Sequence, residues 1–167
     1  MQLEELTAEV RAFRGGFDTV VMATADATGR PEASYAPYVA DDDGRFFVFL
    51  SALAAHTRQI EARGEASLLF IEDECQAREP FARRRLTVAC GATIVGRENE
   101  VWRAVMDRFA ARFGAVVAVL RGLPDFRLYM LDPQAATYVR GFGQAYRLAV
   151  PGLEVVAPLG AERRGSR

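Results

Sequence analysis

Few side chains in this 167-residue chain are of a type that could carry chemistry. The chain has one histidine, His56, two cysteines, Cys75 and Cys90, and no lysine among its 21 basic residues. Without lysine there is no Schiff-base chemistry. The cysteines lack CxxC spacing, so a structural or free-thiol role is expected and no metal site is predicted. No Ser-His-Asp pattern, GxGxxG or GxxxxGK[ST] motif is present, which argues against hydrolases and nucleoside triphosphatases.

Composition places the chain among globular proteins. Half of its residues are hydrophobic, 26% are charged, and the formal net charge is −1. Such a balance offers no electrostatic attraction to nucleic acid or to an anionic membrane surface. No apolar run reaches membrane-spanning length, and the first residues are acidic rather than cationic. A soluble, cytoplasmic protein with no nucleic-acid or membrane partner is therefore expected.

The central stretch from Ala33 to Phe70 predicts three strands and one helix. Two strands, Ala33–Ala40 and Arg45–Leu50, are joined by a turn at Asp41-Asp42-Asp43-Gly44. The second strand (RFFVFL) is apolar throughout, which indicates burial on both faces. Ser51 is predicted to cap a helix over Ala52–Arg63 that stops at Gly64, and a further strand follows.

The flanking segments add helices at each end and more strands. Helices are predicted over Leu3–Phe13 and Glu98–Phe113, and strands over Thr19–Ala25 and Arg85–Gly96. A closing hairpin is predicted around Asp132-Pro133. Strands outweigh helices and short turns favour antiparallel pairing, so the sequence predicts a β-rich α+β fold, a small barrel with flanking helices. A single domain is expected over residues 1–150, followed by a C-terminal extension, 151–167, whose last residues fray.

Several motifs, in order and at similar spacing, resemble one known superfamily. They are ASYAPYV, FVFLSALAAHTRQIEARGEASLLF, ASLLFIEDE, FARRRLTV and DFRLYMLDP…GFGQA. Together they are similar to the split-barrel superfamily of FMN-binding proteins related to pyridoxamine 5′-phosphate oxidase, and most similar to its haem-utilisation branch. The resemblance implies an antiparallel split β-barrel and a homodimer with two cofactor sites at the subunit interface.

The resemblance also points to particular residues. The Arg and Lys with which the oxidases hold the flavin phosphate are matched by Ala33 and Tyr38, and their Ser-Arg-Lys by Ala54, Ala55 and His56. The expected phosphate contacts are therefore those left at the start of the central helix, namely Ser51, His56, Thr57 and Arg58. A helix N-terminus offers free amides to an anion. Arg84 and Arg85 match the Arg-Gln pair near the flavin ring, where arginine would suit the ring edge or a haem propionate.

Three functions follow as hypotheses. The main prediction is a flavin-dependent oxidoreductase that binds FMN and acts on a small molecule. The alternative is a haem-binding or haem-degrading protein, as the branch resemblance implies. The haem-degrading members use a histidine near the C-terminus as iron ligand, whereas no histidine follows His56 here, which leaves Tyr146, Tyr138 or Cys90 as chemical substitutes. The third hypothesis is a cofactor-free barrel that binds a ligand or a partner.

Overall fold

Strands dominate the fold, as their apolar alternation predicts. A computed structural model of the protein describes residues 2–159. The helices are α1 (Leu3–Gly15), α2 (Ala55–Arg63), α3 (Glu100–Phe113) and α4 (Ala115–Arg121). The strands are β1 (Thr19–Ala25), β2 (Pro31–Ala40), β3 (Phe46–Ser51), β4 (Glu65–Ile71), β5 (Arg85–Val95), β6 (Phe126–Gly141), β7 (Gln144–Ala149) and β8 (Glu154–Pro158). Short 3-10 turns at Glu74–Gln76 and Pro80–Ala82 fill the predicted loop between β4 and β5.

The sheet closes into an antiparallel barrel. The strand order is β3-β2-β1-β4-β5-β6-β7-β8, and an additional pairing of β3 with β6 closes strands β1 to β6 on themselves. β3 pairs with β6 over its whole length, from Phe46↔Leu131 to Ser51↔Phe126. β7 and β8 continue the sheet beyond the barrel. The predicted β-rich barrel is confirmed.

The barrel is open between β2 and β3. β2 pairs with β1 over seven residues, but with β3 only through Tyr38, Val39 and Ala40. Beyond these pairs the two strands diverge. Helix α2 lies beside the opening, because Gln59 bonds to Thr24 on β1 and to Glu32 on β2.

Two apolar cores hold the fold together. One fills the barrel and includes Leu6 and Val10 of α1, which closes one end. The other lies outside the barrel, where α3 and α4 pack on β3, β5 and β6 around Trp102, Phe109 and Phe49. Strand β3 contributes to both cores, and for this reason five consecutive residues of it are buried.

Two sequence predictions were wrong. The predicted hairpin at Asp132-Pro133 is the middle of the continuous strand β6. Pro133 lacks an N–H donor, but β6 pairs with β3 only up to Leu131 and with β7 only from Ala136, and the register with β5 shifts at Ala89/Cys90. Pro133 pairs with Cys90 directly at this register shift, and an irregularity of the ladder is where a strand tolerates proline.

The second wrong prediction is the helix cap. Helix α2 begins at Ala55, after a turn, and its N-cap residue is Ala54. Ser51 instead ends β3, and its hydroxyl donates to Asp125 Oδ2 at 2.9 Å. The Ser51 oxygen still accepts a bond from Leu53 N, but the helix starts three residues later than predicted, so this bond belongs to the turn before α2.

Residues 151–159 pack on the barrel. β8 pairs with β7, and Leu153 and Val155 are buried in the barrel core. Arg11 of α1 pairs with Glu154 at 2.9 Å, and Val155 N donates to Thr7 Oγ1. The predicted fraying of residues 161–167 lies outside the described residues.

Candidate functional site

The turn from β3 into α2 is held by three hydrogen bonds around Ser51. Its hydroxyl donates to Asp125 and accepts a bond from Leu53 N at 3.2 Å. The hydroxyl of Thr57, which is fully buried, donates to the Ser51 carbonyl at 2.7 Å. The side chains of Ser51 and Thr57 are therefore engaged in fixing the first turn of α2. Their part in a ligand site remains a prediction.

His56 is the second residue of α2 and lies half-buried beside Glu32. Within residues 2–159, neither of its ring nitrogens has a hydrogen-bond partner. Burial lowers the pKa of His56 below its ordinary value of 6.5, and the Glu32 carboxylate opposes part of that shift. The imidazole is therefore neutral at neutral pH and keeps one free lone pair, which suits it to ligate a metal or accept a proton.

A chain of polar side chains anchors this helix to the barrel opening. Thr24 Oγ1 donates to Gln59 Oε1 at 2.5 Å, and Gln59 Nε2 donates to Glu32 Oε2 at 2.9 Å. Because these bonds join α2 to β1 and β2, they fix the position of His56 relative to these two strands of the barrel.

Arg58 supplies an exposed positive charge at the same turn. Its Nη1 donates to the carbonyl of Leu53 at 2.7 Å, and no carboxylate of the described chain forms a salt bridge with it. Leu53 itself is 79% exposed. The start of α2 thus presents a neutral imidazole, a guanidinium without a carboxylate partner and an apolar side chain together.

The structure separates the two arginines at the start of β5. Arg84 lies at the closed end of the barrel, where its guanidinium stacks on Phe13 at 5.4 Å and faces Glu72 at 3.6 Å. Arg85 points to the outer face, and the only hydrogen bond of its guanidinium within residues 2–159 is to the Arg83 carbonyl at 3.1 Å. Of the two predicted contacts, Arg85 is the one whose charge has no carboxylate partner.

The predicted site residues do not come together within one chain. Strand β4 starts at Glu65, next to the end of α2, and finishes at Ile71, which pairs with Arg85. Seven extended residues span about 20 Å at the usual rise per residue. The helix group (Ser51, His56, Thr57, Arg58) and Arg85 therefore lie at opposite ends of the sheet.

Between these two ends lies a sheet face that is open to solvent. Register aligns one row of outward side chains across five strands, namely Tyr35, Val21, Leu69, Thr87 and Thr137. Tyr35 is 68% and Val21 38% exposed. The next row consists of small residues (Ala33, Ala23, Ser67, Ala89, Ala135), beside which a shallow groove of about 260 Å³ opens.

The other suggested iron ligands differ in access. Cys90 is buried in the barrel, and burial raises the pKa of its thiol to about 12. Tyr138 is buried too, and its hydroxyl donates to Glu9 Oε1 at 2.9 Å. Neither side chain can reach a ligand outside the barrel. Tyr146 is partly exposed on β7. His56 is the accessible candidate at the helix site.

Two further features concern metal ions and membranes. Residues 2–159 contain no cluster of three or more His, Cys, Asp or Glu side chains placed to hold a metal ion. None of the helices seen in that range is both long enough and apolar enough to cross a membrane.

The fold and a match between this sequence and a known family define the class of protein. Residues 6–140 match the pyridoxamine 5′-phosphate oxidase family. The chain therefore belongs to this family, as its motifs predicted.

Two proteins are similar to this chain, and one of them, HutZ, is described by its haem chemistry. The chain is 42% identical to the haem oxygenase HutZ of Vibrio cholerae over 144 residues, which are 86% of this chain and 81% of HutZ. The crystal structure of HutZ, described there as the haem storage protein of Vibrio cholerae, matches with a TM-score of 0.74 and 41% identity over 81% of this chain and 94% of that chain. The structure of ChuZ from Campylobacter jejuni matches with a TM-score of 0.82 and 28% identity over 94% of this chain and 64% of that chain.

The prediction of an FMN-dependent redox protein is wrong. HutZ, to which the chain is 42% identical, is described as a haem oxygenase and as a haem storage protein, not as a flavoprotein. The physical reason lies in the phosphate clamp: Ala33, Ala54 and Ala55 carry no charge, and the ring of Tyr38 is buried in the barrel core. A phosphate dianion would meet few fixed cations here.

The sequence did not reveal the residues whose hydrogen bonds hold the start of α2 in place. Gln59 of α2 bonds to Glu32 and Thr24, which lie 27 and 35 positions away, and Ser51 bonds to Asp125, which lies 74 positions away. No local pattern marks such partners. A polar residue in an otherwise apolar strand, such as Glu32 in β2, is the one signal that could have been followed.

Proposed function

We propose that this protein binds haem and serves haem utilisation. The observation that carries the proposal is the pairing of a neutral, unpartnered imidazole, His56, with two guanidinium groups, Arg58 and Arg85, that lack carboxylate partners in the described chain. The 42% identity to a haem oxygenase supports it.

The residues present fit the chemical demands of haem. A neutral imidazole is a common iron ligand, so we assign His56 to the iron. Guanidinium groups match the geometry of carboxylates, so we assign Arg58 and Arg85 to the two propionates. When bound, the haem supplies a redox-active iron; the chain's own residues supply orientation, charge and an apolar environment.

The site is completed by a second copy of the chain. The open face between α2 and Arg85 is continuous over five strands, and its two aligned rows contain apolar, small and hydroxyl side chains but no charged one. Depletion of charge is typical of the buried centre of a protein interface. In a symmetric dimer the same patch contacts itself. A two-fold axis lying in this face and running across the strands would bring α2 of one protomer against Arg85 of its partner. This arrangement supports the predicted homodimer with interface sites.

Titration of the purified protein with haemin tests the proposal. We expect a Soret band of bound haem that saturates at one haem per chain, and no comparable binding of FMN added in its place. Flavin bands without a Soret band would reject the proposal. A protein that stays colourless with both would favour the cofactor-free barrel.

His56→Ala is expected to weaken haemin binding by about 1–3 kcal/mol, the usual cost of losing a hydrogen bond or contact to a charged or buried group. The Soret maximum should shift, and added imidazole should restore it. Spectral titration measures both effects.

Arg63→Ala is the matched control for this variant. Arg63 lies at the other end of the same helix and pairs with Glu65 at 2.9 Å. Its replacement should leave haemin affinity unchanged. An unaltered spectrum in folded His56→Ala would remove His56 from the iron while leaving haem binding itself in place.

A further inference from the structure

Two aromatic side chains project into solvent at one end of the sheet. Phe81 is 89% exposed and Phe142 83%, the highest values among the large hydrophobic residues of the described chain. Neither ring has an aromatic or cation–π partner within residues 2–159. An exposed phenyl ring forgoes the favourable free energy of leaving water, so two of them at one end of the sheet call for an explanation.

Both rings belong to the same end of the sheet as Arg85. Phe81 lies in the 3-10 turn four residues before Arg85, and this turn packs against β6. Phe142 lies in the turn between β6 and β7, three residues after Val139, the residue that pairs with Arg85. The strand register therefore brings both aromatic turns to the same end of the sheet as the Arg85 guanidinium, which has no carboxylate partner in the described chain.

The backbone at both positions is fixed although the rings are free. Glu79 accepts a hydrogen bond from Phe81 N, and Pro80 restricts the first residue of the turn. Next to Phe142, Gly143 adopts a left-handed conformation with φ +69° that closes the turn. A fixed backbone with an uncovered ring is the arrangement of a preorganised contact.

We propose that Phe81 and Phe142 form an apolar wall for the haem macrocycle, beside the Arg85 guanidinium. This inference rests on the proposed function and adds to it the residues that recognise the porphyrin ring. Haem is a flat apolar ring with two carboxylates at one edge, and this end of the sheet offers the complementary pair of features: aromatic faces next to a free cation. In the proposed dimer the wall would face Leu53 and His56 of the other protomer.

The test compares Phe81→Ser and Phe142→Ser with Val119→Ser in the full chain. Val119 is a matched control, because it is apolar and 67% exposed but lies on α4, which packs against the outer core. Two probes are titrated into each variant: haemin, and iron-free protoporphyrin IX, which keeps the ring and the carboxylates. Melting temperature and oligomeric state are measured in parallel.

Each phenylalanine variant should lose about tenfold in affinity for both probes, and the double variant about a hundredfold. Val119→Ser should bind as wild type. The probes also separate the wall from the iron ligand, because His56→Ala should weaken haemin far more than protoporphyrin.

Wild-type affinity for both probes in the phenylalanine variants would overturn the inference while haem binding stands. Variants that become monomeric would also overturn it, since the rings would then serve subunit contact. A wild-type protein that binds neither probe would instead remove the proposed function, and the wall with it.

Discussion

Replacing Gly44 with alanine is expected to lower the free energy of unfolding by roughly 2–5 kcal/mol, through backbone strain and overpacking together. Gly44 closes the turn between β2 and β3 with φ +85°, a conformation that residues with a Cβ rarely adopt. A Cβ there would also overlap the carbonyl oxygen of Pro151 and lie 2.9 Å from its carbonyl carbon. The substitution therefore pushes residues 151–153 away from the barrel, where Leu153 is fully buried.

Gly29→Ala is the matched control for the effect of conformation alone. Gly29 has φ +88° in the turn between β1 and β2, but a Cβ there would meet no atom within 4 Å. It should cost about 1 kcal/mol, the left-handed penalty by itself. Urea unfolding of both variants at one protein concentration gives the comparison. Equal losses would show that the contact between Gly44 and Pro151 adds nothing to stability.

The parts of the fold that were predictable are those governed by local pattern. The uninterrupted apolar run of β3 indicated burial on both faces, and both cores do use it. The periodic stripe of α3 likewise indicated its buried side. The failures occur where long-range pairing overrides a local signal. Asp132-Pro133 has turn chemistry, yet the pairing of β6 with β5 on both sides of it carries the strand straight through.

The candidate site shows the same limit. The resemblance pointed to His56 and Arg58, and the structure places both at an accessible helix start. Alternation along a strand places Arg84 and Arg85 on opposite sides. The resemblance could not show which of the two points outward, because that depends on which face of β5 meets the core. Nor could it show that Arg85 lies at the far end of the sheet. Strand register, which is set by contacts distant in sequence, decides both.

Mixed dimers are expected to recover a haem site that neither parent variant has. The helix-side variant carries His56→Ala and Arg58→Ala, and the strand-side variant carries Arg85→Ala. Each homodimer should bind haemin more weakly than wild type. The affinity should fall about a hundredfold in the helix-side variant and about tenfold in the strand-side variant, as the usual loss of 1–3 kcal/mol per contact predicts. If each site combines α2 of one protomer with Arg85 of the other, a heterodimer of the two variants holds one intact site and one doubly defective site.

Differently tagged chains allow the heterodimer to be isolated and titrated with haemin. One haem per dimer should bind with wild-type affinity, and the second should not bind in the same range. If His56 and Arg85 served a site within one chain, every site of this heterodimer would carry a defect and none would reach wild-type affinity. A heterodimer of wild type with the helix-side variant controls for assembly, because it keeps one intact site under either arrangement. The 20 Å of strand β4 between α2 and Arg85 makes the shared site the expected result.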